Sequence, residues 1–116
     1  MNLENYENIL IKLLFHHNNL VNEYSYFIEN KNLFKIVSRT KTSKGFFFTI
    51  EKPLNFLSKK KKTYFEFNFK YLHSGKERFG SFMCWINTNL MEFEGVFFND
   101  PLPDNMIINN FFEIND

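Results

Sequence analysis

Three histidines and one cysteine are the side chains that could give this chain metal or nucleophilic chemistry. His16 and His17 are adjacent in a segment of helical periodicity, so they point about 100° apart and cannot bind one ion from one helix face. His73 falls in a predicted turn. Cys84 is alone within an apolar run, which predicts a buried, inert thiol and is typical of a reducing compartment. Without an HxxxH, HExxH or CxxC spacing, we predict no metal site and no cofactor.

The acidic pair Glu92 and Glu94 could support general acid–base chemistry, because residues two apart on a strand share a face. Neighbouring exposed acids are more common as a solvated strand face. The four glycines stand singly, so the chain has no glycine-rich phosphate loop. We therefore predict no catalytic residue and expect that the protein is not an enzyme.

The period of the hydrophobic residues indicates which elements would position these groups. Residues 3–17 have helical periodicity with Asn2 as a possible N-cap, and the apolar stripe resumes at Leu20. Asn18 and Asn19 either separate two helices or lie on the wet face of one long helix. The first part of the predicted stripe consists of Leu3, Tyr6, Leu10, Leu13, Leu14 and His17.

From residue 33 the period changes to two, which predicts strands. The predicted strands are residues 34–40, 46–51, 65–71, 78–87 and 91–97, with a turn at residues 41–45. In the third of them four aromatic residues alternate with polar ones and should lie on one buried face: Phe65, Phe67, Phe69 and Tyr71.

The end of the chain is less clearly patterned. Pro101 and Pro103 end the last strand, and residues 104–114 could form a short helix or a strand. The sequence therefore predicts one α+β domain over residues 1–116. An N-terminal amphipathic helical segment would pack on a roughly five-stranded antiparallel meander, with a possible short C-terminal helix.

Charge is sorted along the chain although the net charge is only +1. Residues 31–78 hold thirteen of the fourteen basic side chains against three glutamates, a balance of +10. Residues 79–116 hold six acids and no lysine or arginine, a balance of −6, and the first thirty residues contribute −3. Oppositely charged surfaces steer and orient association, so this asymmetry concerns partners rather than a reaction.

One short segment favours nucleic-acid binding. Residues 44–50 resemble the aromatic strand motif of RNA-recognition and cold-shock domains, in which a basic residue and a glycine precede alternating aromatic residues. The resemblance implies that Lys44 contacts the nucleic acid and that Phe46 and Phe48 stack on bases. Phe47 departs from the motif, which has glycine or alanine at that place, and we favour the alternative that Phe46 and Phe48 are core residues. The lysine run could touch phosphate or form a solvated loop: Lys59, Lys60, Lys61 and Lys62.

A second resemblance concerns the whole chain. Its size, its bias towards Phe, Asn, Lys and Ile, its helix-then-sheet layout and its acidic end resemble the small immunity proteins of bacterial contact-dependent inhibition and related polymorphic toxin systems. That resemblance implies a cytoplasmic inhibitor that binds one cognate toxin domain, often a nuclease, and occludes its active site or an exosite. We favour this function, with a nucleic-acid-binding domain as the alternative.

Acidic residues near the last strand are the expected toxin contacts, because nuclease clefts are basic. They are Glu92, Glu94, Asp100 and Asp104, with Phe97 or Phe98 as an anchor if either is exposed. These acids could instead balance the lysine-rich strands across the sheet, and the lysine-rich half could be the contact surface.

No stretch is apolar and long enough to cross a bilayer, and the first residues lack the pattern of a secretion signal. The sequence thus predicts a soluble, cytoplasmic protein without a membrane partner, and it leaves the oligomeric state open.

Overall fold

Two helices and six strands make up the part of the chain that the structure, a computed structural model, describes: residues 1–58, 63–73, 75–98 and 112–113. The helices are α1 (Asn5–His17) and α2 (Val21–Glu29), followed by a 3₁₀ turn (Lys31–Leu33). The strands are β1 (Lys35–Thr42), β2 (Gly45–Glu51), β3 (Tyr64–His73), β4 (Lys76–Ile86), β5 (Leu90–Phe97) and the short β6 (Phe112–Glu113). The predicted α+β fold, with helices at the N-terminus packed on an antiparallel sheet, is confirmed.

The strand order differs from the predicted meander. All neighbours are antiparallel, but the order is β1-β2-β5-β4-β3-β6, so β2 pairs with β5 and not with β3. A periodic pattern assigns residues to faces but does not choose partners, and consecutive strands are neighbours in only about two-thirds of cases. The consequence for function is that β5 lies inside the sheet, between β2 and β4.

Asn18 and Asn19 separate two helices. The backbone N–H of Asn18 donates to the carbonyl oxygen of Leu14, and Asn19 takes a left-handed conformation with φ of 59°. Asparagine tolerates this region better than most residues, so the break is encoded locally. The predicted N-cap Asn2 is wrong, because α1 begins at Asn5.

The buried side of α1 is rotated relative to the predicted stripe. Leu3 and Leu13 are only partly buried and His17 is exposed, with its ring 6.1 Å from that of Phe67. The buried residues of α1 are Tyr6, Glu7, Leu10, Ile11, Leu14 and Phe15. The buried face thus includes Glu7, Ile11 and Phe15, which the predicted stripe left out.

Glu7 is buried because it is paired with Arg39 on β1. The Arg39 Nε and Nη2 atoms lie 2.8 Å and 2.6 Å from the two carboxylate oxygens. The backbone N–H of Glu4 donates to the same carboxylate at 2.7 Å. The hydrogen bonds to Glu7 raise the pKa of Arg39. This bidentate pair fastens the first turn of α1 to the edge of the sheet.

Aromatic rings fill the space between the helices and the sheet. The predicted buried face of β3 is confirmed, since the core includes Phe65, Phe67, Phe69 and Tyr71. Gly95 and Gly80 have no side chain on this face because the rings of Phe46 and Phe69 lie directly over them, and a Cβ atom would overlap those rings. The predicted C-terminal helix lies outside the described residues, of which residues 112–113 pair with β3.

Candidate protein-interaction face

The sheet has two unequal faces, and the functional question concerns the one turned away from the helices. We call it the open face; its central strands are β2, β5, β4 and β3. The alternation of buried and exposed residues along β2 and β5 separates it from the core face. Its central side chains are Phe47, Thr49, Tyr64, Glu66, Met83, Trp85, Glu92 and Glu94.

Strand register arranges these side chains in two adjacent rows. One row runs Phe47, Glu94, Met83 and Glu66 from β2 to β3. The other runs Thr49, Glu92, Trp85 and Tyr64 in the same direction. Neighbours within a row are about 5 Å apart and the rows about 7 Å apart, so a single partner surface could contact both.

Glu92 and Glu94 share this face, as their spacing predicts, and their cross-strand neighbours are uncharged. Glu92 lies between Thr49 and Trp85, and Glu94 lies between Phe47 and Met83.

Lysines on the described strands of this face lie only towards its margins. Lys35 on β1 pairs across from Glu51, and Lys70 on β3 lies 3.6 Å from Glu77. β2 separates β1 from β5. Among the described residues, no lysine is therefore a direct cross-strand neighbour of Glu92 or Glu94.

Large apolar side chains are exposed on the same face. Phe47 is 45% exposed, Phe79 42% and Trp85 41%. Phe47 is the cross-strand neighbour of Glu94 and Trp85 that of Glu92, whereas Phe79 lies further along β4. Exposed aromatic residues are enriched on partner-binding surfaces. The open face therefore combines exposed aromatic side chains with Glu92 and Glu94, whose cross-strand neighbours among the described residues are uncharged.

Of the two predicted anchor residues, Phe98 is exposed to a partner and Phe97 is not. Phe97 is buried on the core face, with its ring 5.2 Å from that of Tyr71, so it cannot anchor a partner. Phe98 is 42% exposed, and its backbone N–H donates to the carbonyl oxygen of Phe79. Asp100 and Asp104 lie outside the described residues.

The electrostatic character of the face is visible at Tyr64. Burial is the main cause that raises the pKa of Tyr64 to about 12, and the hydrogen bond to Glu66 (2.9 Å) and the charges of Glu66 and Glu94 raise it further. Carboxylates from two strands thus act on one phenol group, which is what a locally negative face produces.

We expect Glu66→Gln to lower the pKa of Tyr64 towards its ordinary value near 10 without reaching it, because burial remains. Ultraviolet titration of phenolate absorbance measures this, as the difference between each protein and its Tyr64→Phe counterpart. The subtraction is needed because burial also raises the pKa of Tyr6 to about 12. Glu29→Gln on α2 is the control and should change nothing. An unchanged midpoint in Glu66→Gln would show that this carboxylate does not act on the phenol.

The residues predicted to bind nucleic acid are not brought together as a stacking platform. Phe46 and Phe48 are each 1% exposed and belong to the core, so base stacking by them is excluded. Lys44 is exposed in the two-residue turn between β1 and β2. The lysine run at residues 59–62 lies outside the described residues.

Other reactive groups have structural surroundings. Cys84 is buried, as predicted, and burial raises the pKa of its thiol well above the ordinary value. Lys52 is buried with Nζ donating to the carbonyl oxygen of Thr88 at 2.9 Å, and burial lowers its pKa. Within the described ranges, no group of three or more His, Cys, Asp or Glu residues is arranged to hold a metal ion.

Comparison with known proteins finds no match for the chain among models of protein families, curated sequences or solved structures. In the part of the chain that the structure describes, no helix is both long enough and apolar enough to span a membrane.

Sequence reasoning missed the three aromatic residues of the two rows on the open face: Trp85, Tyr64 and Phe47. Trp85 stands in the apolar run of residues 82–86, which has no alternation to indicate that every second side chain faces outward. Tyr64 lies one residue before the predicted strand. Phe47 lies between Phe46 and Phe48, so an all-aromatic triplet conceals which residues face the core.

Proposed function

We propose that this protein is an immunity-type inhibitor, which binds a cognate toxin domain and occludes its active site or an exosite. The observation that carries the proposal is the open face, where the exposed aromatic residues Phe47 and Trp85 are cross-strand neighbours of Glu94 and Glu92. A sheet face with exposed side chains of this composition is suited to a protein partner.

The charge of the face indicates the kind of partner. On the described strands it carries two lysines, Lys35 and Lys70, against five carboxylates: Glu51, Glu66, Glu77, Glu92 and Glu94. A toxin that cleaves nucleic acid needs a basic cleft to hold phosphate, and such a cleft is complementary to this face. Complementary potentials accelerate encounter and fix orientation, whereas aromatic anchors hold the complex once formed.

The same features make nucleic acid a poor ligand for the open face. Its carboxylates would repel phosphate, and the phenylalanines of the motif-like segment are inside the core. No described feature favours nucleic-acid binding over the inhibitor function.

The proposal is tested with the product of the gene immediately upstream, if that gene encodes a large secreted protein with a variable C-terminal domain. Co-expression should protect cells from that toxin domain, and the purified pair should form a complex.

Charge reversal then tests the surface. We expect Glu92→Lys/Glu94→Lys to slow association by about tenfold or more at low salt and to weaken protection. For a control matched in charge, the single variant Glu92→Lys is compared with Glu29→Lys, which replaces an exposed residue of α2. Stopped-flow or surface-based kinetics give the rates. Equal association rates for these two single variants would exclude the open face as the contact surface.

A further inference from the structure

Trp85 occupies a special position on the open face. It is the only tryptophan of the chain, and its side chain is 41% exposed. The ring of Tyr64 lies beside it, with centroids 5.2 Å apart and planes inclined at 50°. Glu92 is directly opposite Trp85 on β5, and Glu66 accepts a hydrogen bond from the Tyr64 hydroxyl group. Two aromatic rings thus lie between carboxylates from two strands.

We infer that Trp85, Tyr64 and Glu92 form a seat for an arginine side chain of the partner. This inference rests on the proposed function, because it names the chemistry that the partner presents to the open face. A cation over the face of a tryptophan ring is attracted by the ring quadrupole, and a carboxylate beside the ring adds a charge-assisted hydrogen bond.

The combination favours a guanidinium group over an ammonium group. A guanidinium group is planar, stacks on an aromatic ring, presents several donors at fixed angles and is more weakly hydrated than the ammonium group of lysine. It could lie flat on Trp85 while its N–H groups reach the Glu92 carboxylate on the neighbouring strand. A lysine would satisfy the carboxylate but would lose the stacking contact.

Other occupants fit this position less well. A purely apolar partner would bury Glu92 and Glu94 without compensation, which is costly. A second copy of this chain, docked through the same face, would bring the two sets of carboxylates together. Phosphate groups are repelled for the same reason. Charge complementarity therefore favours a cationic side chain of a protein partner at this position.

Trp85 fluorescence provides a direct test on the intact protein. The probes are acetylated, amidated hexa-arginine and hexa-lysine peptides, which carry equal charge. We expect hexa-arginine to change the fluorescence of Trp85 and to bind about two- to tenfold more tightly than hexa-lysine at equal ionic strength.

Variants should localise the effect. Glu92→Gln should weaken the binding of hexa-arginine, because it removes the carboxylate beside the ring, whereas Glu29→Gln should reduce neither the affinity nor the preference for arginine. Trp85→Leu removes the reporter, so its binding is measured by anisotropy of a labelled hexa-arginine peptide. It should bring the affinity for hexa-arginine close to that for hexa-lysine.

Equal affinities for the two peptides, equal effects of Glu92→Gln and Glu29→Gln, or no response to hexa-arginine would overturn the arginine seat. These failures differ from failure of the proposed function. If the charge reversal of Glu92 and Glu94 still slows association with the toxin, the inhibitor function stands without the seat. If peptides are distinguished but the toxin is unaffected, the seat stands and the assigned partner is wrong.

Discussion

Phe67→Ala is expected to lower the free energy of unfolding by about 3–5 kcal/mol. Phe67 is 2% exposed in the middle of β3. Its ring centroid lies 6.1 Å from that of Phe82 and 6.2 Å from that of Phe69. Removing the ring leaves a cavity that these neighbours, themselves fixed by the core, cannot close, so the lost burial and the lost contacts add. Urea or guanidinium titration followed by circular dichroism gives the value.

Phe79→Ala is the matched control for this substitution. The residue lies on β4 with its side chain 42% exposed on the open face, so the same deletion should cost less than about 1 kcal/mol. A loss below about 1 kcal/mol for Phe67→Ala as well would mean that the two faces of the sheet are assigned the wrong way round.

The face that each residue of β3 occupies could be predicted from the sequence, whereas the partners of the strands could not. Alternation of Phe65, Phe67, Phe69 and Tyr71 with polar residues is a local property of the chain. The pairing of β2 with β5 joins residues 45–51 to residues 90–96, which are far apart in sequence. This pairing depends on which strand of the β3–β5 segment packs beside β2, and no local sequence pattern encodes that choice.

Local spacing likewise predicted one part of the open face, and long-range packing determined the rest. The common face of Glu92 and Glu94 follows from a spacing of two residues, and the structure places them there. The uniform aromatic segment around Phe47 has no polar residue to mark the solvent side. Its orientation was set instead by β5, where Gly95 leaves room on the core face for the ring of Phe46. In an all-apolar strand, packing against the neighbouring strands therefore decides which alternate side chains face the core.

The burial of Glu7 could not be predicted from the sequence. An acid in the apolar stripe of a helix is normally assigned to the wet face, since an unpaired buried carboxylate is strongly unfavourable. Its partner Arg39 is 32 residues away and belongs to a different type of element. Only the packing of α1 against the edge strand brings the two together.

Arg39→Met should therefore cost about 3 kcal/mol of folding stability, at the lower end of the range for breaking a buried ion pair. The substitution removes the guanidinium group from the fully buried Glu7 carboxylate and leaves the hydrogen bond from the Glu4 N–H in place. The lower end is appropriate because the Arg39 side chain is 35% exposed, so water can approach the vacated position. The substitution also removes the hydrogen bond from Arg39 Nη2 to the carbonyl oxygen of Asn2. Chemical denaturation at neutral pH measures the change.

The double variant Glu7→Leu/Arg39→Met separates the cost of an unpaired charge from the worth of the pair. An apolar pair of similar volume is often as stable as a buried ion pair, so the double variant should lie within about 1–2 kcal/mol of the wild type, the remainder reflecting the lost bond to the Glu4 N–H. The double-mutant cycle should then give a coupling energy of at least about 1 kcal/mol. Additive losses would contradict this account, because they would mean that Glu7 does not depend on Arg39 for its burial and that α1 is held to the sheet by its apolar residues alone.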